Sequence, residues 1–263
     1  MKLATLLRRK SRRSFMAAIT SVGMVLVVVA LVAMLPMPSA KADGRGDPKV
    51  IAPDSVAYGR TYGEWSAAWE QWADSIPVAN HPLFDNGDCS VGQSGPVWFL
   101  GGKFCGNGAS CNYTGVVRSC SIPAGKALYF PILNYEDSAL EESVAENPGN
   151  ETYQQVTTLR GIEAVSMDGA SSVFCSVDGV PIKDLMQNYR VQSTVFGFTL
   201  PTDNLFKTIY GNNGFTAGSY FFGVDDGWYV MLAPLRPGPH VVRISGVNGG
   251  YALDVTYHLH VQH

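Results

Sequence analysis

Basic residues are scarce outside the first 42 positions, and that scarcity is the first constraint on function. The 263-residue chain holds 19 lysines and arginines against 22 acidic residues, a formal net charge of −3. Seven of the basic residues (Lys2, Arg8, Arg9, Lys10, Arg12, Arg13 and Lys41) and no acid fall within residues 1–42. Removing that segment takes the formal charge from −3 to −10. No block of lysine and arginine remains, which argues against nucleic acid and anionic lipid as partners.

Several chemical signatures are missing too. The cysteine gaps of 16, 6 and 9 from Cys89 to Cys120 offer no paired C-x-x-C spacing for zinc. Set on the second cupin motif, "SIPAGKALYFPILN" puts Leu128 in the histidine position and Ile132 in the asparagine position. A carbon side chain ligates no metal. His258 and His260 share one face of a strand but have no carboxylate near them in sequence. A metal-free protein is the expectation. No Rossmann, haem or iron–sulfur motif occurs, so no cofactor is expected. The segment "VGQSGP" around Ser94 lacks the first glycine of a G-x-S-x-G elbow. No internal repeat of about 20 to 50 residues is visible, which removes solenoids and propellers.

What is present begins with an export segment. A basic start, the apolar run from Ala17 to Leu35 and the small residues Ala40 and Ala42 fit a signal peptide cut after residue 42. Ser11-Arg12-Arg13-Ser14-Phe15-Met16 resembles the twin-arginine motif, with Ala17 in place of its usual lysine. Ordinary secretion and a retained anchor are the alternatives, because the apolar run approaches the roughly 20 residues that span a bilayer. A membrane partner arises only if the segment is kept. Secretion or periplasmic residence is the expected localisation. Four close cysteines in an oxidising compartment suggest two disulfides, Cys105–Cys111 nested inside Cys89–Cys120, with Cys175 a small buried side chain.

Residues 43–57, with Gly, Pro and charge, read as a flexible leader, and their "RGD" at Arg45 to Asp47 as a chance triplet. Residues 58–263 read as a single domain. Tyr58, Tyr62, Trp65, Trp69, Trp72 and Ile76 fall at steps of 4, 3, 4, 3 and 4, the apolar stripe of an amphipathic helix stopped by Pro77. Arg60, Glu64, Glu70 and Asp74 lie off that stripe. The stripe reads as a face buried against a sheet, with an exposed sugar-binding platform as the alternative. A second helix is expected at residues 150–167. Seven β-branched and aromatic runs, bounded by "PAG", "DG", "DDG", "RPGP" and "NGG" turns, indicate a mainly β fold. The expected architecture is a β-sandwich or jelly roll with an N-terminal amphipathic helix and a second short helix.

The blocks "YGRTYGEWSAAWEQWADSIP", "HPLFDNGDCSVGQSGPVWFLGG", "RSCSIPAGKALYFPILNYED", "SVDGVPI" and "PLRPGPHVVRISG" resemble a group of uncharacterised secreted bacterial proteins. The resemblance spans nearly the whole mature chain. It implies one coherent domain and carries no activity.

Two functions remain open. One is a non-enzymatic extracellular or envelope module that binds a glycan or another ligand through aromatics and acids around residues 81–98 and 134–137. Asp88, Trp98 and Asn134 are its candidate contacts. The other is a metal-independent hydrolase or lyase acting on a polysaccharide through His81, Asp85 and Glu136. Convergence of these polar side chains in one cleft would favour the enzyme.

Overall fold

The computed structural model describes residues 48–106 and 110–263. The expected export segment and Arg45 to Asp47 lie outside the described residues. In chain order the strands are β1 (Val50–Ile51), β2 (Val97–Phe99), β3 (Cys111–Ile122), β4 (Ala127–Ser138), β5 (Ala170–Val177), β6 (Val180–Pro181), β7 (Arg190–Gln192), β8 (Phe196–Leu200), β9 (Gly218–Leu232), β10 (Gly238–Asn248) and β11 (Tyr251–Val261). The helices are α1 (Tyr62–Asp74), the single turn α2 (Ala139–Glu141), α3 (Val156–Asp168), the short α4 (Leu185–Asn188) and α5 (Leu205–Tyr210).

The fold is mainly β and sandwich-like, with two sheets packed together. One sheet runs β1-β9-β4-β2, with β7 and β8 also paired to β9. The other runs β3-β11-β10-β5-β6. Neighbours are antiparallel except β2–β4 and β3–β11, which are parallel. Every residue from Gly223 to Leu232 of β9 is buried, because this strand is covered on both faces. Trp228, Val230 and Leu232 point into the core between the sheets with Leu128 and Phe130 of β4. Tyr229 and Met231 point the other way, with Ala127 and Tyr129, against α1. The result is three layers: helix, sheet, sheet.

α1 starts at Tyr62 because Thr61 and Glu64 form a capping box. Tyr62, Trp65, Trp69, Trp72 and Ile76 are all buried, so the stripe is a packing face lying across the first sheet and not a sugar platform. Tyr58, the first member of the expected stripe, precedes the helix and is exposed. Each indole N–H has an acceptor: Trp65 donates to Ala57 O (2.8 Å), Trp69 to Leu100 O (2.7 Å) and Trp72 to Val91 O (3.1 Å). Each ring therefore buries its area at no cost in unmet hydrogen bonding.

Two disulfides, Cys89–Cys120 and Cys105–Cys111, are formed, and they indicate an oxidising compartment outside the cytoplasm. Cys175 is a buried free thiol, pushed up to about 12 by burial. Among the described residues no helix is long and apolar enough to cross a membrane.

Four features differ from the sequence expectation. Val50 and Ile51, expected in a flexible leader, pair with Leu232 and Met231, because β9 has a free edge there for two apolar residues to complete. The second helix begins at Val156, after a separate helical turn at Glu151–Gln154. Asp225-Asp226-Gly227 is the middle of β9 and not a turn. β3 was hidden by Asn112, Gly115 and other polar residues, which it tolerates because only one sheet neighbour covers it.

Candidate functional site

A one-residue irregularity in β4 builds the site. Tyr129 faces α1, and its hydroxyl donates to Tyr62 O (2.9 Å). In a regular strand Asn134, five residues on, would face the opposite side. The pairing with β9 shifts between Pro131 and Leu133, and that extra residue turns Asn134 and Glu136 back toward the helix. Leu133 stays in the inter-sheet core with its partner Trp228. Along β9, Asp225 and Tyr229 are four residues apart and so share the helix-facing side. On α1, Ser66, Glu70 and Asp74 also lie four apart, in a second stripe beside the tryptophans.

These elements meet in a buried acidic network. Asn134 Nδ2 donates to Glu70 Oε1 (2.8 Å) and to Asp225 Oδ1 (3.1 Å). Tyr229 donates to Asp225 Oδ2 (2.8 Å), as does Ser66. Glu70, Asp74 and Asp225 are each at most 3 % exposed. Burial, only partly offset by those donors, raises the Asp225 carboxyl to about 6. Glu70 is raised well above the usual range by burial and then by the charges of Asp225 and Asp74. Asp74 is raised by burial and by Glu141.

Beside this network lies a cavity of about 410 Å³. It sits where β2 has stopped pairing with β4, since that pairing ends at Tyr129. Its acidic wall is Glu70, Asp74, Glu136 and Glu141, and Trp69, Phe206 and Tyr210 supply apolar and aromatic surface. Glu141 sits on α2, where Ser138 both caps the turn and donates to Glu141 Oε2 (2.7 Å). Tyr210 donates to Glu141 Oε1 (2.8 Å). Glu136 and Glu141 are hydrogen-bonded to each other. Burial puts Glu141 at about 7 despite three hydrogen bonds that pull it down, and raises Glu136 well above the usual carboxylate range. Asp74 Oδ2 is buried and has no hydrogen-bond partner. Lys103, the cavity's basic side chain, is engaged by Asp85 at 2.5 Å. Among the described residues, no group of three or more His, Cys, Asp or Glu is placed to hold a metal ion.

The structure separates the residues singled out from sequence. Glu136 and Asn134 reach the cavity. His81 does not: it is fully buried, its Nε2 donates to Ala73 O (3.0 Å), and its Nδ1 accepts from Leu83 N (3.1 Å). Burial lowers it to about 4, so it is a neutral packing imidazole between Phe84 and Phe104 with no free nitrogen for base catalysis. Asp85 pairs with Lys103 and with Arg118 Nε (2.6 Å), in a separate groove. Partial burial would raise its carboxyl, but those bonds hold it below the usual range. Asp88 accepts from Ser90 N (2.8 Å) and fixes a turn. Trp98 is buried in the inter-sheet core, its Nε1 without a partner. His81, Asp85 and Glu136 thus share no cleft.

Glu70, Asp74, Glu141, Tyr210 and Asp225 were not singled out from sequence as site residues. The signal that finds the helical members is the step-four run Ser66, Glu70, Asp74. Comparison of the chain with protein-family models, curated proteins and solved structures found no match.

Proposed function

We propose that this chain is an exported extracellular or envelope protein that binds a small ligand, without catalysis, in the cavity between α1, β4 and α5. The observation that carries the reading is a cavity of small-ligand size lined by four acidic side chains, one of which, Asp74, has a buried carboxyl oxygen without a partner. A buried polar atom left unmet costs about 1–3 kcal/mol, and a ligand that meets it recovers that energy. Export by the twin-arginine route through Arg12 and Arg13 fits the paired cysteines, because disulfides persist outside the cytoplasm. The glycan reading moves with the site. Any sugar is held in this cavity, where Trp69 is part of the wall, and not on an exposed platform of α1 tryptophans.

The Glu136–Glu141 pair favours a second reading, a metal-independent hydrolase or lyase. Two neighbouring carboxyls in one cavity, both raised by burial, are candidates for general acid and base roles. Thermal-shift titration with monosaccharides and small metabolites, run beside polysaccharide digestion scored for new reducing ends and unsaturated products, separates the two. Binding without turnover supports the first reading. Turnover that Glu136→Gln abolishes replaces it with the second.

A further inference from the structure

The chemistry of the cavity wall says what kind of ligand it takes. Four carboxyl groups, Glu70, Asp74, Glu136 and Glu141, face a space of about 410 Å³, and the nearby ammonium, Lys103, already belongs to Asp85. Asp74 is 2 % exposed and one of its oxygens has no donor. A group in that condition needs an N–H or O–H brought by something else. An inorganic ion fits poorly, because among the described residues no three acidic, histidine or cysteine side chains are placed to ligate one. An anionic ligand would oppose ionisation of all four carboxyls, with no unpaired Lys or Arg among the described lining residues to offset it. The aromatic part of the wall, Trp69, Phe206 and Tyr210, suits an organic body carrying positive charge, since ring faces attract cations.

We infer that the cavity binds a compact organic cation that carries N–H donors, of the size of a small diamine or amino sugar. Asp74 takes one N–H, and Glu136 with Glu141 balances the charge. The inference rests on the ligand-binding reading above and names its ligand class. It has a built-in signature. The empty acidic wall favours its protonated forms, because burial raises Glu70, Asp74, Glu136 and Glu141, the last to about 7. An arriving cation favours their ionised forms, so binding expels protons. The other titratable groups on or against the wall are the phenols Tyr135, Tyr210 and Tyr251, all raised by burial, the paired ammonium of Lys103, and two carboxyls, Asp225 beside Glu70 and Glu146 on the Tyr210 hydroxyl. The phenols supply no proton near neutrality, whereas Asp225, at about 6, shares in the release.

The test uses the mature protein with 1,4-diaminobutane, agmatine and glucosamine as cationic probes and maltose as a neutral one. Titration calorimetry at pH 7 in two buffers of different ionisation heat counts the protons released. The expected result is binding of at least one cation with proton release, an affinity at least tenfold higher at pH 8 than at pH 5.5, and at least tenfold loss in Asp74→Asn and in Glu136→Gln. Both variants remove a buried like charge, and their melting curves report that they fold. Binding of a cation with no proton release, or unchanged in both variants, overturns the inference. Maltose bound with every cation refused overturns it too, while the ligand-binding reading stands. Refusal of all four probes overturns it as well, and the wider ligand panel then decides the reading beneath it.

Discussion

α1 carries two stripes one residue apart, and they solve burial in opposite ways. Trp65, Trp69 and Trp72 each bury a large ring and give its one polar atom a backbone acceptor within 3.1 Å. Ser66, Glu70 and Asp74 bury as completely, yet Asp74 ends with an oxygen that no group meets. Both stripes lie over the same sheet. The first is complete as folded and so reads as structure. The second is incomplete, and it stays that way at a cost in stability, as sites with another task do.

Trp69→Ala tests the first half of this contrast most severely. Truncating a large buried aromatic costs about 3–5 kcal/mol, which for a domain of this size lowers the melting temperature by roughly 10 °C. An unchanged melting curve would make the aromatic stripe dispensable and erase the contrast.

Next in size is the pH profile. The Asp225 and Glu141 carboxyls lie at about 6 and 7 in the fold, and Glu163 is raised to about 10, chiefly by burial. A raised carboxyl contributes stability that is fully present below its unfolded value and is lost as pH climbs through its folded value. Stability should therefore fall by several kcal/mol between pH 5 and pH 8. His81, lowered to about 4, opposes this below about pH 6.5, one group against several. Calorimetric melting across that range checks the sign, and a profile that rises with pH would contradict the buried acids.

Asp74→Asn sharpens the comparison at a single atom. It should raise stability at pH 8 and change little well below pH 3, where the carboxyl is protonated in both states. Ser66→Ala should have the smallest effect, a loss of about 1 kcal/mol. The loss should be larger above pH 6 than below, because the hydroxyl donates to Asp225. Denaturant midpoints at the two pH values measure both.

The two stripes were also unequally legible. Apolar periodicity announces itself, and steps of 4 and 3 from Tyr62 to Ile76 were enough to place α1 and its buried face. Alternating β-branched and aromatic runs located most of both sheets, and cysteine spacing gave both disulfides. Acids do not announce burial, because charged side chains are usually solvated, so Glu70 and Asp74 passed as residues beside the stripe. Asp225-Asp226-Gly227 had turn composition, and only the partners supplied by distant segments hold it in a strand. Asp226 is gripped by Arg190 Nε (2.9 Å) and Gln192 (3.1 Å), and Asp225 by Ser66, Asn134 and Tyr229. The same dependence on distant partners misled the reading of His81, which looked like a base because its acceptor, Ala73 O, is unseen in a list of side chains.

The offset in β4 near Ile132 gives the protein an unusual sensitivity to chain length. Substitution alters one contact at a time, but loss of one residue there would restore simple alternation to every position that follows. Asn134 and Glu136 would rotate into the apolar layer and their neighbours into the cavity. A single deletion would thus dismantle the acidic wall while leaving the composition of β4 nearly intact.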